Sequence, residues 1–365
     1  MTGALRVPAG ALERLVRESF TGLGLEAEDA AAAAAVLLYA NLRGIPSHGI
    51  SRLPAYMRRV GAGSARGTAG MRVVAERGGL VRVDAAGALG PAAALRATDL
   101  AIERAAAHGL GVVALGGAGH FGAAGFYAMR AARAGMLALV ASNGPAGIAP
   151  HGAGAPFLGS NPLAIAAPIP GRDEFVLDIA TSVVARGKVI AARDAGEPIP
   201  AGVAIDATGQ PTTDAEAALA GSLLPFGGAK GSGLAMAIQL LAVLLAGADF
   251  DRDAAPMFGD PARRQNLGQI FLVLDPAGIA DRSGPARLGD LMAALHRLPP
   301  REGEGSVRYP GERAAQRERE SLRLGVVVEA RELEAWARAC DESGLPDLAR
   351  RVAGLATAEL EPGSR

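Results

Sequence analysis

Ser47-His48-Gly49, followed by Arg52 and Tyr56, puts a proton-transfer group and a fixed positive charge about one helical turn apart. An arginine fork grips a carboxylate through two parallel N–H donors. A histidine gives or takes a proton at a neighbouring oxygen near neutral pH. Hydride transfer at a 2-oxo or 2-hydroxy acid needs both groups. A second histidine, His120 in Gly119-His120-Phe121-Gly122, extends the pattern, because flanking glycines let a ligand approach the backbone closely. A lone histidine is ordinarily a satisfied core residue; the glycines favour a site role for this one. His108 reads as a helix C-terminal partner, His296 as surface, and His151 stays open between loop and site.

Other chemistries fit less well. Hydrolysis lacks a G-x-S-x-G elbow, and Ser47 and His48, being adjacent, are not expected to form a nucleophile–base pair with each other. No H-E-x-x-H occurs and the five histidines are scattered, so no metal is expected. Gly117-Ala118-Gly119-His120-Phe121-Gly122 matches G-x-G-x-x-G after an apolar run, but the ribose-binding acid about twenty residues on is missing. After Glu103 the next acid is Asp173, and the charges between them are Arg104, Arg130, Arg133 and Arg172. That span suits an anionic ligand, and a neutral buried sheet equally. Gly227-Gly228-Ala229-Lys230-Gly231 is not a P-loop, yet it reads either as a pyrophosphate cradle or as an ordinary strand–helix turn.

The elements that must position these groups alternate between strand and helix, which indicates an α/β core. Helical spacing covers 9–20 and 30–42. Pro54 confines the next helix start, with Ser51 as N-cap and Arg52 at its first position. Strands are expected at 80–86, 111–115, 137–142, 163–167, 174–179 and 269–274, and helices at 91–108 and 123–134. Residues 234–248 form an apolar run of roughly fifteen residues, short for a bilayer and better read as a buried core helix. The chain ends again in helix, from 329 to about 357. The 365 residues allow two or three domains; half are apolar, and 37 basic residues balance 37 acidic ones, which gives no support for nucleic-acid binding. The single cysteine, Cys340, excludes an internal disulfide and reads as a buried thiol. The N-terminus carries no signal-peptide pattern, so no membrane partner and a cytoplasmic location are expected.

Taken in order, several segments resemble the malate/L-lactate dehydrogenase family, whose nucleotide fold is not Rossmann and whose relatives include sulfolactate and ureidoglycolate dehydrogenases, diketogulonate reductase and piperideine-2-carboxylate reductase. They are Arg43-Gly44-Ile45-Pro46-Ser47-His48-Gly49 with Arg52 to Tyr56; His120-Phe121-Gly122 with Gly125; and Gly159-Ser160-Asn161-Pro162. Asp178 to Ser182 with Ala185-Arg186-Gly187-Lys188, Pro211 to Asp214, Leu223 to Gly228 with Lys230-Gly231, and Pro310-Gly311-Glu312 complete the set. The likeness runs from about Ala9 to Leu348.

The resemblance implies an NAD(P)-dependent 2-hydroxy-acid dehydrogenase, NAD slightly favoured, acting on a small carboxylate and usually homodimeric. It implies a three-layer α/β/α nucleotide and substrate domain around a mixed sheet over 76–309, and a helical cap and dimerisation domain formed by both chain ends, 1–75 and 310–365. His48 would be the proton donor in reduction, Ser47 its relay partner and Arg52 the carboxylate anchor. His120 and Phe121 would lie at nicotinamide and substrate, and Ser160 and Asn161 would line the pocket. Asp178, Ile179, Ala180, Ala229, Lys230, Gly311, Glu312 and Arg313 would hold the cofactor. Three departures stand out: Lys188 where imine-reducing relatives carry an acid, Val203 where many carry tryptophan, and Ser160 where threonine is common. Lys188 favours keto acids over the alternative, a cyclic imino-acid reductase. A nucleotide-binding protein of the same fold without catalysis is the non-enzymatic alternative.

Overall fold

The computed structural model describes residues 4–277, 279, 281 and 284–355. It opens with strand β1 (Ala4–Val7) and helices α1 (Ala9–Gly22), α2 (Ala27–Leu42) and α3 (Leu53–Gly61). Then come β2 (Arg72–Arg77), β3 (Leu80–Asp84), α4 (Gly90–His108), β4 (Leu110–Ala118), α5 (Ala124–Arg133), β5 (Leu137–Ser142), β6 (Leu163–Ala167) and β7 (Phe175–Ile179). The next stretch holds α6 (Arg186–Ala195), β8 (Ala204–Ile205), α7 (Ala215–Ala220), β9 (Ser222–Leu223), α8 (Ala229–Leu241) and β10 (Leu267–Leu274). Helices α9 (Gly284–His296) and α10 (Glu312–Leu324), strand β11 (Val326–Glu329) and helices α11 (Ala330–Glu342) and α12 (Pro346–Leu355) complete the chain.

Among the described residues seven strands form one mixed sheet in the order β2-β3-β4-β10-β5-β6-β7. β3 and β4 are parallel, while β10 runs antiparallel to both of its neighbours. β6 is antiparallel to β5 and to β7. The ends of β3, β4, β5 and β7 therefore share one edge, the edge at which open α/β sheets bind ligands. Side-chain alternation splits the sheet between two helical layers. Val113 and Leu115 join α4 and α5 in the main core, whereas Ala114 and Ile270 face Ala246, in the π-helical turn that continues α8. Alanines at positions 93, 94, 97, 101 and 105 keep α4 close against the sheet.

The chain ends share a second core. β1 pairs with β11 from Ala4↔Glu329 to Val7↔Val326. Leu12, Phe20 and Leu37 pack with Trp336, Cys340 and Val352, and Trp336 Nε1 donates to Ser19 Oγ at 2.9 Å. The ends are thus not wholly helical: four-residue strands are too short to show alternation, and residues 326–329, whose last member closes the strand, precede the helix expected from 329. Residue 357, the expected end of that helix, lies outside the described residues. Two further expectations change. Helix α8 is not a buried core helix; with its π turn it leaves Leu240 66 % and Leu244 79 % exposed. Helix α3 starts at Leu53 after the 3-10 turns 46–48 and 50–52, and Ser51 Oγ donates to Pro46 O at 2.7 Å instead of capping.

Candidate functional site

The consecutive 3-10 turns carry Ser47, His48 and Arg52. Asn41, in the last turn of α2, fixes them: its Oδ1 accepts the Ile50 N–H at 2.7 Å. Ser47 Oγ lies 3.1 Å from His48 Nδ1, so the adjacent side chains meet, as a relay between them requires. The tight turn allows this, and it leaves Nε2 as the histidine nitrogen free to face a ligand. Arg52 Nε donates to Ser47 O, and its guanidinium lies over the ring of Phe258, 4.8 Å from the centroid. Burial lowers the pKa of Arg52 and no carboxylate contributes to offset it.

One turn along α3, Tyr56 is buried with its hydroxyl 2.7 Å from His120 Nδ1. The Gly122 N–H also donates to that nitrogen, at 3.3 Å. An acceptor of an amide N–H carries no proton, so the neutral His120 ring holds its proton on Nε2. The Gln265 amide oxygen accepts the His120 N–H at 3.1 Å, and Gln269 Nε2 donates to Gly119 O at 2.9 Å. The His48 and His120 rings stack at 5.7 Å and 20°. Burial first, then the Arg52 charge, pushes His48 down to about 4. Burial and the neighbouring His48, Arg52 and Arg59 push His120 well below its ordinary value. The free protein therefore holds both rings neutral at pH 7, whereas the sequence suggested a histidine titrating near neutrality.

The remaining candidates are dispersed. Phe121 is buried and stacks on Tyr127 at 5.1 Å, so its ring serves the core. Asp178 Oδ2 accepts the Gly125 N–H in the first turn of α5 at 2.8 Å, and burial raises its pKa to about 6 against that bond. Ile179 ends β7 and Ala180 follows it, both half-buried. Ala229 and Lys230 are exposed in the first turn of α8. Gly311 has φ +105° beside β7. Glu312 is taken up by His296 at 2.9 Å and the Tyr309 N–H at 3.0 Å, and His296, exposed as expected, stacks on Tyr309. Arg313 is exposed.

Ser160 is exposed, and its carbonyl accepts from Thr181 N and Oγ1. Asn161 is fully buried with φ +29°, a value asparagine tolerates better than most residues. Its amide donates to Ala235 O and Asp251 Oδ2, both at 2.8 Å, which makes it a strut of the turn. Val203 is likewise buried, in a small core with Ile199 and Leu223. Lys188 is exposed in the first turn of α6, next to Gly187. A Cβ on Gly187 would lie 2.8 Å from Ser47 Cβ, so only glycine lets this helix start pack on the serine.

Sequence reasoning missed four contributors: Arg59, Phe258, Gln265 and Asp251. Buried Asp251 accepts from Asn143 Nδ2, Asn161 Nδ2 and the Gly159 N–H, tying the Ser160 turn to the loop after β5. None of the four lies in a recognisable motif, and three come from one irregular loop.

Comparison with known proteins places the chain in one family. A (2R)-3-sulfolactate dehydrogenase (NADP+) of Chromohalobacter salexigens is 40 % identical over 328 residues, covering 89 % of this chain and 96 % of its own. A Δ1-pyrroline-2-carboxylate/Δ1-piperideine-2-carboxylate reductase of Pseudomonas putida is 35 % identical over 331 residues, covering 90 % and 95 %. The solved sulfolactate dehydrogenase of Methanocaldococcus jannaschii superposes with a TM-score of 0.86 at 31 % identity, over 93 % of this chain and 98 % of that one. The family model described as malate/L-lactate dehydrogenase matches residues 7–336, and the chain belongs to that family.

Proposed function

We propose that Ser47, His48, Arg52 and His120 catalyse reversible, NAD(P)-dependent oxidoreduction at C2 of a small 2-oxo or 2-hydroxy acid. The observation that carries this reading is the unpaired Arg52 fork beside two stacked, neutral imidazoles. The nucleotide would be held by Ala229 and Lys230, Asp178 to Ala180 and Gly311 to Arg313. The donor set fits a polyanion: Gly227 and Gly228, both in left-handed backbone, present Lys230 and the start of α8 at the surface. Its nicotinamide supplies or accepts the hydride. NAD is slightly favoured over NADP.

The chain's own residues would do the rest. Arg52 binds the substrate carboxylate in plane and so orients C2. His120 Nε2–H donates to the substrate oxygen and stabilises charge on it. In oxidation His48 Nε2 takes the hydroxyl proton while its Nδ1–H donates to Ser47 Oγ. In reduction the Nε2 proton is delivered to the carbonyl oxygen while Ser47 Oγ–H protonates Nδ1, and the half-buried serine regains its proton from solvent water. The serine relay lets a ring that is neutral in the free protein act as the acid.

A second anion on the substrate goes with this reading, because Lys188 is exposed beside the Gly187–Ser47 contact and the Chromohalobacter relative is named for sulfolactate. Assays of pyruvate, oxaloacetate and 3-sulfopyruvate with each reduced cofactor, beside the two cyclic imines, test it. Faster turnover of the imines than of every keto acid would select the reductase alternative, for which the Pseudomonas relative speaks.

A homodimer and a cytoplasmic location belong to the same proposal. Met236, Leu240, Leu241, Leu244 and Leu245 leave an apolar stripe on α8 and its π turn, of the kind that marks protein interfaces. The core that α1, α2 and α3 share with β11, α11 and α12 supports a cap unit beside the 76–309 domain. Light scattering of Leu244→Asp beside the parent protein tests the stripe, with a monomer expected for the variant.

A further inference from the structure

We propose that Phe258 is a positioning residue for the substrate carboxylate, roofing the Arg52 fork so that the acid is gripped in plane and shielded from water on one side. The inference rests on reading Arg52 as the carboxylate anchor. Phe258 is 62 % exposed, an aromatic ring left on a loop, yet it sits over the guanidinium at 4.8 Å. Face and edge of a guanidinium are separate binding surfaces. The ring covers the face, Nε is used by Ser47 O, and the in-plane Nη edge is left for an anion. A cation over an aromatic face gains more as water is removed from it.

The loop is built to hold the ring there. Arg59, two turns beyond Arg52 on the same side of the chain, is buried and spends its guanidinium on three loop carbonyls. They are Pro256 O at 2.7 Å, Arg263 O at 2.9 Å and Met257 O at 3.2 Å, on both sides of Phe258. Gln265 then joins the loop to the second histidine: its Nε2 donates to Ala255 O at 2.7 Å while its Oε1 holds the His120 N–H. The loop therefore sets the roof over Arg52 and the position of His120 together.

The test compares Phe258→Leu, Phe258→Tyr and the parent. Oxalate binding by calorimetry reads the anion site without turnover; KM and kcat for the best 2-oxo acid, and the dissociation constant of the reduced cofactor, read the rest. Phe258→Leu keeps apolar bulk but has no π face. It should weaken oxalate binding and raise KM by about three- to tenfold, with kcat and cofactor binding within about twofold of the parent. Phe258→Tyr should retain parental values. Oxalate binding equally to parent and Phe258→Leu, no oxalate binding to the parent, or parallel loss of cofactor binding in Phe258→Leu would each overturn the inference. Weakened oxalate binding without turnover of any 2-oxo acid would leave Phe258 standing and reject the proposed reaction.

Discussion

The pH dependence of 2-hydroxy-acid oxidation offers a sharp check on the site. Oxidation needs a bare His48 nitrogen, and kcat/KM reports ionisations of the free enzyme. With its pKa held at about 4, His48 stays about 97 % neutral at pH 5.5, whereas an ordinary histidine at 6.5 would be about 9 % neutral. The two cases differ about tenfold in kcat/KM at that pH. The profile should therefore be flat from pH 8 to about 5 and should turn down only near pH 4. Burial is the larger cause and the Arg52 charge the smaller. Arg52→Gln should accordingly move the acid limb upward only part of the way to 6.5. Stopped-flow measurement of cofactor reduction, with brief exposure to each pH, gives the profile. A parental acid limb centred between pH 6 and 7 would refute the account of a desolvated imidazole beside an unpaired guanidinium.

Three further outcomes are expected. His48→Ala should lower kcat by about 10²–10⁴-fold with cofactor affinity unchanged, as read by steady-state kinetics and fluorescence titration. His48 binds no proton in the native state until about pH 4 but does so below 6.5 when unfolded, so it withdraws roughly 2 kcal/mol of stability between pH 7 and 5, while Asp178, raised to about 6, takes up a proton in the native state and acts in the opposite direction; urea melts of the parent and His48→Gln at pH 7, 6 and 5 would isolate the histidine's share. Asp251→Ala strands three buried N–H donors at about 1–3 kcal/mol each and should cost at least about 3 kcal/mol, seen as a lower urea midpoint at constant m-value.

What the sequence reveals follows from how local each feature is. Strands β5 and β6 fall where expected because their apolar runs are bounded by glycine, serine and proline. Ser47, His48 and Arg52 are legible as a group because one short segment carries all three. Tyr56 is visible as a residue, but its bond to His120 crosses sixty-four positions and needs the sheet edge to bring them together. Phe258 and Gln265 sit in an irregular loop without periodicity, so only tertiary packing reveals their use. The low pKa of His48 comes from burial depth, which no motif encodes. The resemblance points Phe121 and Asn161 toward a ligand, whereas their side chains are held by the protein's own interior.

The pairing of β1 with β11 has a consequence for biosynthesis. Arg6 bonds to Gly325, 319 positions later, and α1 and α2 complete their core only with helices that follow β11. While the ribosome is still working, those early helices have no permanent cover for Leu12, Phe20 and Leu37. The first segments made are then among the last to settle, a vulnerable interval in which chaperones have most to offer and in which C-terminal truncations are the most damaging.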